Sequence, residues 1–146
     1  MIQSIKPLHE NISIIIHLNN ICNFKCDYCI AWREFSWKYI SDENILKLET
    51  EIKKIKYITK SNINIDLTWW EPTLNKNFID ILERFSSIPD VNLQVSTNWL
   101  LLCNFEDLFI KSKILKLNKD KIKFNISFHF FEYNRKISSF INNIKF

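Results

Sequence analysis

The sequence predicts an α/β fold built on a parallel sheet, and three observations carry that prediction. Apolar periodicity switches between strand-like runs and helical spacing four times along the chain. Each strand-like run precedes a helical one, so β-then-α units follow in succession with right-handed crossovers. The unusual residues, clustered cysteines and tryptophans, fall just after strand-like runs, where the working groups of parallel sheets collect. With 146 residues the chain suffices for one compact domain and is too short for two well-filled ones.

Residues 12–18, ISIIIHL, are β-branched and read as a buried first strand, with a cysteine-rich loop over 19–38 behind it. Ser41 followed by Asp42 and Glu43 marks a helix start, the hydroxyl capping and the acids favouring the positive end of the dipole. Ile45, Leu48, Ile52 and Ile55 then recur at helical spacing. Residues 62–68, NINIDLT, alternate as a second strand that Pro72 stops. Phe78, Ile81, Leu82 and Phe85 give an amphipathic helix ending near Pro89. Residues 92–97 form a third strand, and Phe105, Leu108, Phe109 and Leu115 a less regular helix. Residues 122–130, IKFNISFHF, form a fourth strand, and Ile137, Phe140, Ile141 and Ile144 a fourth helix. That helix meets no stop signal before Phe146, so the chain reads as the front part of a larger domain, truncated after about four units.

Composition excludes several classes. Apolar residues make up 47% and charged residues 25%, ordinary for a globular core and wrong for disordered, collagen-like or disulfide-stapled chains. No run approaches the ~18 apolar residues of a membrane span, and MIQSIKPLHEN lacks the core of a signal peptide. A cytoplasmic chain without a membrane partner is expected. The net charge of +4 says little about partners. Lys53, Lys54 and Lys56 read as a solvated helix face, so no nucleic acid is expected.

Cys22, Cys26 and Cys29 stand at C-x3-C-x2-C spacing. Three clustered thiols cannot pair evenly, which argues against a disulfide framework. Structural zinc wants a fourth ligand, and Cys103 could supply one, although alone it reads as a small buried hydrophobe. Iron–sulfur ligation fits better, because soft thiolates suit a cluster and three of them leave one iron open.

With Tyr28 before the last cysteine, this loop resembles that of the radical S-adenosylmethionine (SAM) superfamily. TWWEPTLN, from Thr68 to Asn75, resembles the family's TGGEPTL segment, and STNWLLL, from Ser96 to Leu102, resembles STNGLLL. ISFHF, from Ile126 to Phe130, sits where the family has a polar-tipped fourth strand. The resemblance implies a partial (β/α)6 barrel, of which residues 1–146 are the N-terminal portion with the C-terminal remainder absent. It also implies that Cys22, Cys26 and Cys29 each ligate one iron of a [4Fe-4S] cluster whose open iron is chelated by SAM. Tyr28 would lie near the adenine. The backbone at Trp69, Trp70 and Glu71, after Thr68, would accept the methionyl ammonium, with Glu71 setting local charge. Ser96 and Asn98 would border the cofactor, and Ser127 and His129 would approach the ribose or the methionyl carboxylate.

No side chain is assigned as catalytic, because the cofactors carry the chemistry. An electron through the cluster would cleave SAM to methionine and a 5′-deoxyadenosyl radical that abstracts a substrate hydrogen. An electron donor such as flavodoxin or ferredoxin is implied. The substrate, peptide or small molecule, stays open among peptide or sulfatase maturation, cofactor biosynthesis and activation of a glycyl-radical enzyme. On the residues alone, His129 reads equally as a rim histidine, and His9 and His17 as structural or exposed.

The chain departs from the family in one respect. Trp69, Trp70 and Trp99 stand where the family has glycine, Trp32 sits where glycine is frequent, and the whole chain has five tryptophans and no glycine. Two indoles beside Glu71 would crowd the methionyl group. Two explanations are open. The five positions, with Trp37, are glycine in the living protein through UGA recoding, or the domain is a degenerate, non-catalytic metal- or cluster-binding scaffold for partner recognition.

Overall fold

The structure, a computed structural model, describes residues 10–29, 38–98 and 119–127. The readings at His9, Trp32, Trp37, Trp99, Cys103 and His129, and both later helices, lie outside the described residues. Strands β1 (Asn11–Ile16), β2 (Asn62–Leu67), β3 (Val91–Thr97) and β4 (Ile122–Ile126) alternate with helices α1 (Asp42–Thr59) and α2 (Phe78–Ser86). The strands pair in chain order, all parallel. One row across the sheet runs Ile16, Leu67, Val95, Phe124, each opposite the next. The sheet is open, β1 and β4 standing at its edges among the described residues, as a partial barrel requires.

Local chemistry sets the helix ends. Ser41 Oγ accepts from the Asn44 N–H at 3.2 Å, with Asp42 and Glu43 in the first turn. Lys60 closes α1 in the left-handed region at φ 58°, its N–H donating to the Lys56 carbonyl. Ile45 and Ile52 of α1 are buried, and so are Phe78, Ile81, Leu82 and Phe85 of α2. They pack on one face of the sheet over Ile63, Ile65, Leu67, Val91, Leu93 and Val95 in a single core.

The other face is polar. Ser13, Asn64, Asp66, Asn92, Gln94 and Lys123 line a depression of about 640 Å³ there, and Asn92 Nδ2 donates to Asn64 Oδ1 at 3.2 Å. Period-2 alternation on β2 and β3 assigns apolar residues to the helices and amides to this face.

Two expectations are corrected. The first strand is an edge strand: Ile16 is buried, Ile12 and Ile14 are half-buried, and Ile15 is 64% exposed. It pairs only with β2 among the described residues, and the helices cover one of its faces. Second, the strand ends at Ile16 and not at residue 18, because His17 and Leu18 already leave the ladder for the cysteine loop. The lysine cluster is a solvated face in part: Lys53 and Lys54 pair with Glu49 and Glu51, while Lys56 reaches Asp90 at 2.7 Å. Among the described residues no helix is long and apolar enough to cross a membrane.

Candidate cofactor site

The cysteine loop is closed at its stem. The Asn20 N–H donates to the Lys38 carbonyl at 3.0 Å and the Ile40 N–H to the Leu18 carbonyl at 2.9 Å, around an antiparallel bridge between Asn19 and Tyr39. Asn19 is buried; its Nδ2 donates to the Glu71 carbonyl at 3.0 Å and its Oδ1 accepts from the Ile21 N–H. The Glu71 N–H in turn donates to the Ile21 carbonyl at 2.9 Å. The chain entering Cys22 is thus laid against the chain leaving β2. Further along, a turn is closed by the Cys29 N–H on the Cys26 carbonyl.

This junction borders a cleft of about 340 Å³ at the carboxyl ends of the strands. Cys22, Cys26 and Cys29 line it, with Phe24 and Tyr28 beside them. The end of β2 contributes Thr68, Trp69, Trp70 and Glu71. Beyond them come Ser96, Thr97 and Asn98 from β3, and Ser127 after β4. Every candidate site residue within the described residues therefore meets at one cleft. Ser127 is held by its N–H on the Thr97 carbonyl at 2.8 Å, and Tyr28 stands 70% exposed at the mouth.

Glu71 is fully buried, and four donors converge on its carboxyl group. Oε1 accepts from the Thr73 N–H at 3.2 Å, the Thr73 hydroxyl at 2.5 Å and the Thr97 hydroxyl at 2.5 Å. Oε2 accepts from the Asn98 N–H at 2.7 Å. The side chain ties the rim of β3 to the exit of β2 and offers the cleft its backbone. Burial of a carboxyl group is tolerated here because its oxygens are satisfied.

Trp69 and Trp70 adopt φ values of 70° and 54°. The left-handed region costs a residue with a Cβ about 1–2 kcal/mol each time. Trp69 stacks on His17, ring centroids 5.3 Å apart and planes within 9°. Trp69 and Trp70 both line the cleft.

Burial pushes the Cys22 thiol up to about 11, reinforced by nearby Glu71 and the two other thiols; the Phe24 N–H, 3.4 Å from Sγ, acts the other way. Asn98 Nδ2 also reaches Cys22 Sγ at 3.8 Å while donating to Asn23 Oδ1 at 2.7 Å. Among the described residues no three His, Cys, Asp or Glu side chains converge on a metal-sized point. The three free thiols share the cleft wall without closing on one centre. The fit to an iron–sulfur cluster is therefore one of donor chemistry: three soft ligands, one already receiving N–H···S bonds of the kind that tune cluster sulfurs.

A family model described as the radical SAM superfamily matches residues 16–136. The chain belongs to the radical SAM superfamily. Over 123 residues it is 31% identical to the probable GTP 3′,8-cyclase of Thermoplasma volcanium, a span of 83% of this chain and 34% of that protein. It is 29% identical over 117 residues to the GTP 3′,8-cyclase of Sulfurimonas denitrificans, covering 77% of this chain and 36% of that one. The chain spans about a third of the length of these relatives. The crystal structure of BtrN in complex with AdoMet and 2-DOIA superposes with a TM-score of 0.60 at 19% identity, covering 88% of this chain and 51% of that one. An open form of BtrN gives 0.57 at 17% identity. At such identity the likeness is one of fold alone.

Four residues at this radical SAM rim went unselected in the sequence. Thr97 lies inside the STNW string but its contact to Glu71 spans two strands. Asn23 stands beside Cys22 with no motif of its own, and Asn19 is a lone amide after a strand. Asn75, last of the TWWEPTLN string, donates to the Leu18 carbonyl at 2.8 Å and accepts from the Asn77 N–H. A buried asparagine beside a loop stem was the available signal, since its amide can satisfy two backbone groups at once.

Proposed function

We propose that this chain is the cluster- and SAM-binding part of a radical SAM enzyme. The observation that carries the reading is the meeting of three free thiols with the ends of β2, β3 and β4 at one cleft. When bound, a [4Fe-4S] cluster supplies the single electron that cleaves SAM, whose 5′-deoxyadenosyl radical takes a hydrogen atom from the substrate.

This chain's residues do the holding. Cys22, Cys26 and Cys29 bind the cluster. The peptide groups from Trp69 to Glu71 receive the methionyl end of SAM, and Thr68, Ser96, Asn98 and Ser127 border it, with Tyr28 against the adenine. Glu71 fixes the backbone that faces the cofactor, its own carboxyl group being consumed by the rim. The proposed setting is the cytoplasm, with an electron donor such as flavodoxin or ferredoxin.

The two indoles in the cleft favour a second reading, a non-catalytic cluster scaffold. Anaerobic reconstitution of the full-length protein with iron and sulfide separates them. The enzyme gives a [4Fe-4S] EPR signal that changes on adding SAM, and 5′-deoxyadenosine under reduction. A colourless zinc protein, or a cluster indifferent to SAM, overturns it.

A further inference from the structure

Positive φ occurs at four of the described residues, Lys60, Trp69, Trp70 and Asp90. Lys60 is the C-cap of α1, and Asp90 sits in the turn before β3, a residue type enriched in the left-handed region. Tryptophan has neither excuse. A non-glycine residue is left-handed in only a few per cent of cases, and a bulky one is a genuine outlier there. Both tryptophans within the described residues fall in it, a coincidence on the order of one in a thousand.

The backbone is held in this shape from either side. The Thr68 N–H donates to the Ile16 carbonyl at 3.4 Å, and the Glu71 N–H to the Ile21 carbonyl at 2.9 Å. Between those anchors the chain must leave β2 and pass beneath the cysteine loop in two residues. Two consecutive left-handed residues accomplish that, and glycine is the residue for which this conformation carries no steric penalty.

Composition points the same way from a separate direction. The chain has five tryptophans and no glycine, where average usage of ~7% would give about ten glycines. Lys60 and Asp90 occupy positions that commonly hold glycine. Residues other than glycine thus fill left-handed positions that glycine would commonly take.

We infer that Trp69 and Trp70, together with Trp32, Trp37 and Trp99, are glycine in the protein as its own cell makes it. A UGA codon read as glycine in the host and translated as tryptophan by a common alternative table accounts for all five. Restoring them gives about half the average glycine usage, in keeping with a sequence rich in the Ile, Lys and Asn of an AT-rich genome. At the rim, two indoles leave the cleft, His17 loses its stacking partner, and the wall from 69 to 71 becomes bare peptide that a ligand can approach closely. The inference rests on backbone and composition, so it stands or falls separately from whether the cleft binds SAM.

The test is the mass of the tryptic peptide from Ser61 to Lys76 in protein isolated from the native host, with the codons read from the gene. UGA at positions 32, 37, 69, 70 and 99, and a peptide carrying two glycines, is the expected result. Tryptophan masses, or UGG codons at 69 and 70, overturn it. A second measurement uses the full-length recombinant protein. The Trp69→Gly/Trp70→Gly pair should denature at a higher midpoint than the Trp69→Ala/Trp70→Ala pair, because both remove the indoles and only glycine removes the Cβ. An alanine pair of equal or greater stability removes the left-handed requirement and overturns the inference.

Discussion

Thr97 Oγ1 donates to Glu71 Oε1 at 2.5 Å, fastening the last residue of β3 to the segment that leaves β2. Through the next residue the same carboxyl group reaches the cysteines: Glu71 Oε2 accepts from the Asn98 N–H, and Asn98 Nδ2 lies 3.8 Å from Cys22 Sγ. A parallel sheet has no hairpins to fix the relative height of its strand ends. Here a buried carboxyl group does so, and the loop that carries the thiols is registered to the sheet by the same contacts. The rim is therefore a network joined through Glu71, and its members should not act additively.

Replacing Glu71 by Gln turns an acceptor-only group into one that points two hydrogens at existing donors. The expected loss is about 1–3 kcal/mol of stability, the cost of leaving a buried donor unsatisfied. Thr97→Val removes a single donor and should cost less. In the double variant the two losses should sum to more than the combined effect, as urea denaturation will measure. Strict additivity would mean that the two groups do not share one network.

How far this site was legible depended on the range of the signal. The helix start at Ser41 was readable because capping is decided within three residues, and Asn44 answers it. The strands β2 and β3 were readable because alternation declares a half-buried face. The exposure of Ile15 was not, since the run ISIIIHL is equally apolar whether its strand lies inside a sheet or at its edge. At the rim, the thiols and the TWWEPTLN string were visible as local patterns. The role of Thr97 was not, because a hydroxyl in a strand becomes a clasp only when residue 71, in the segment that leaves β2, is known to lie beside it.

The three thiols should be individually indispensable for a cluster. Cys22→Ser, Cys26→Ser and Cys29→Ser should each abolish the visible absorbance of protein reconstituted with iron and sulfide, since a hydroxyl is a poor ligand for a soft metal site. Cys103→Ser should leave it intact. Loss of the absorbance in the Cys103 variant as well would point to a cluster held by four thiolates.

Stability should be carried by the core far more than by the surface charges. Phe85 is 1% exposed between α2 and the sheet, so Phe85→Ala should cost about 3–5 kcal/mol. Arg84 and Glu49 join α2 to α1 at 3.2 Å with the arginine half exposed, and Glu49→Gln should cost no more than about 1 kcal/mol, less in high salt. Denaturant midpoints of the two variants at low and high ionic strength check the ranking. An equal loss in both would mean that the helices are held by charge.

Asp66 gives the polar face of the sheet a pH signature opposite to that of the paired acids. Burial raises its carboxyl above the ordinary 3.8, a hydrogen bond from Gln94 only partly offsetting this, and its Oδ1 is buried without a partner among the described residues. A raised carboxyl binds its proton more tightly in the folded state than in the unfolded one. Its contribution to stability is therefore full below about 3.8 and falls as pH rises through the raised folded value. Glu49 and Asp90 are lowered, by Lys53 with Arg84 and by Lys56, so theirs grow with pH over the acid range. The net curve mixes both signs, and the difference between the native protein and Asp66→Asn isolates the first. That variant should gain stability relative to the native protein as pH rises from about 4 to neutrality, a trend that urea midpoints at stepped pH will resolve. A flat difference would show that Asp66 titrates alike in the folded and unfolded chains, and that the polar face is wet enough to solvate it fully.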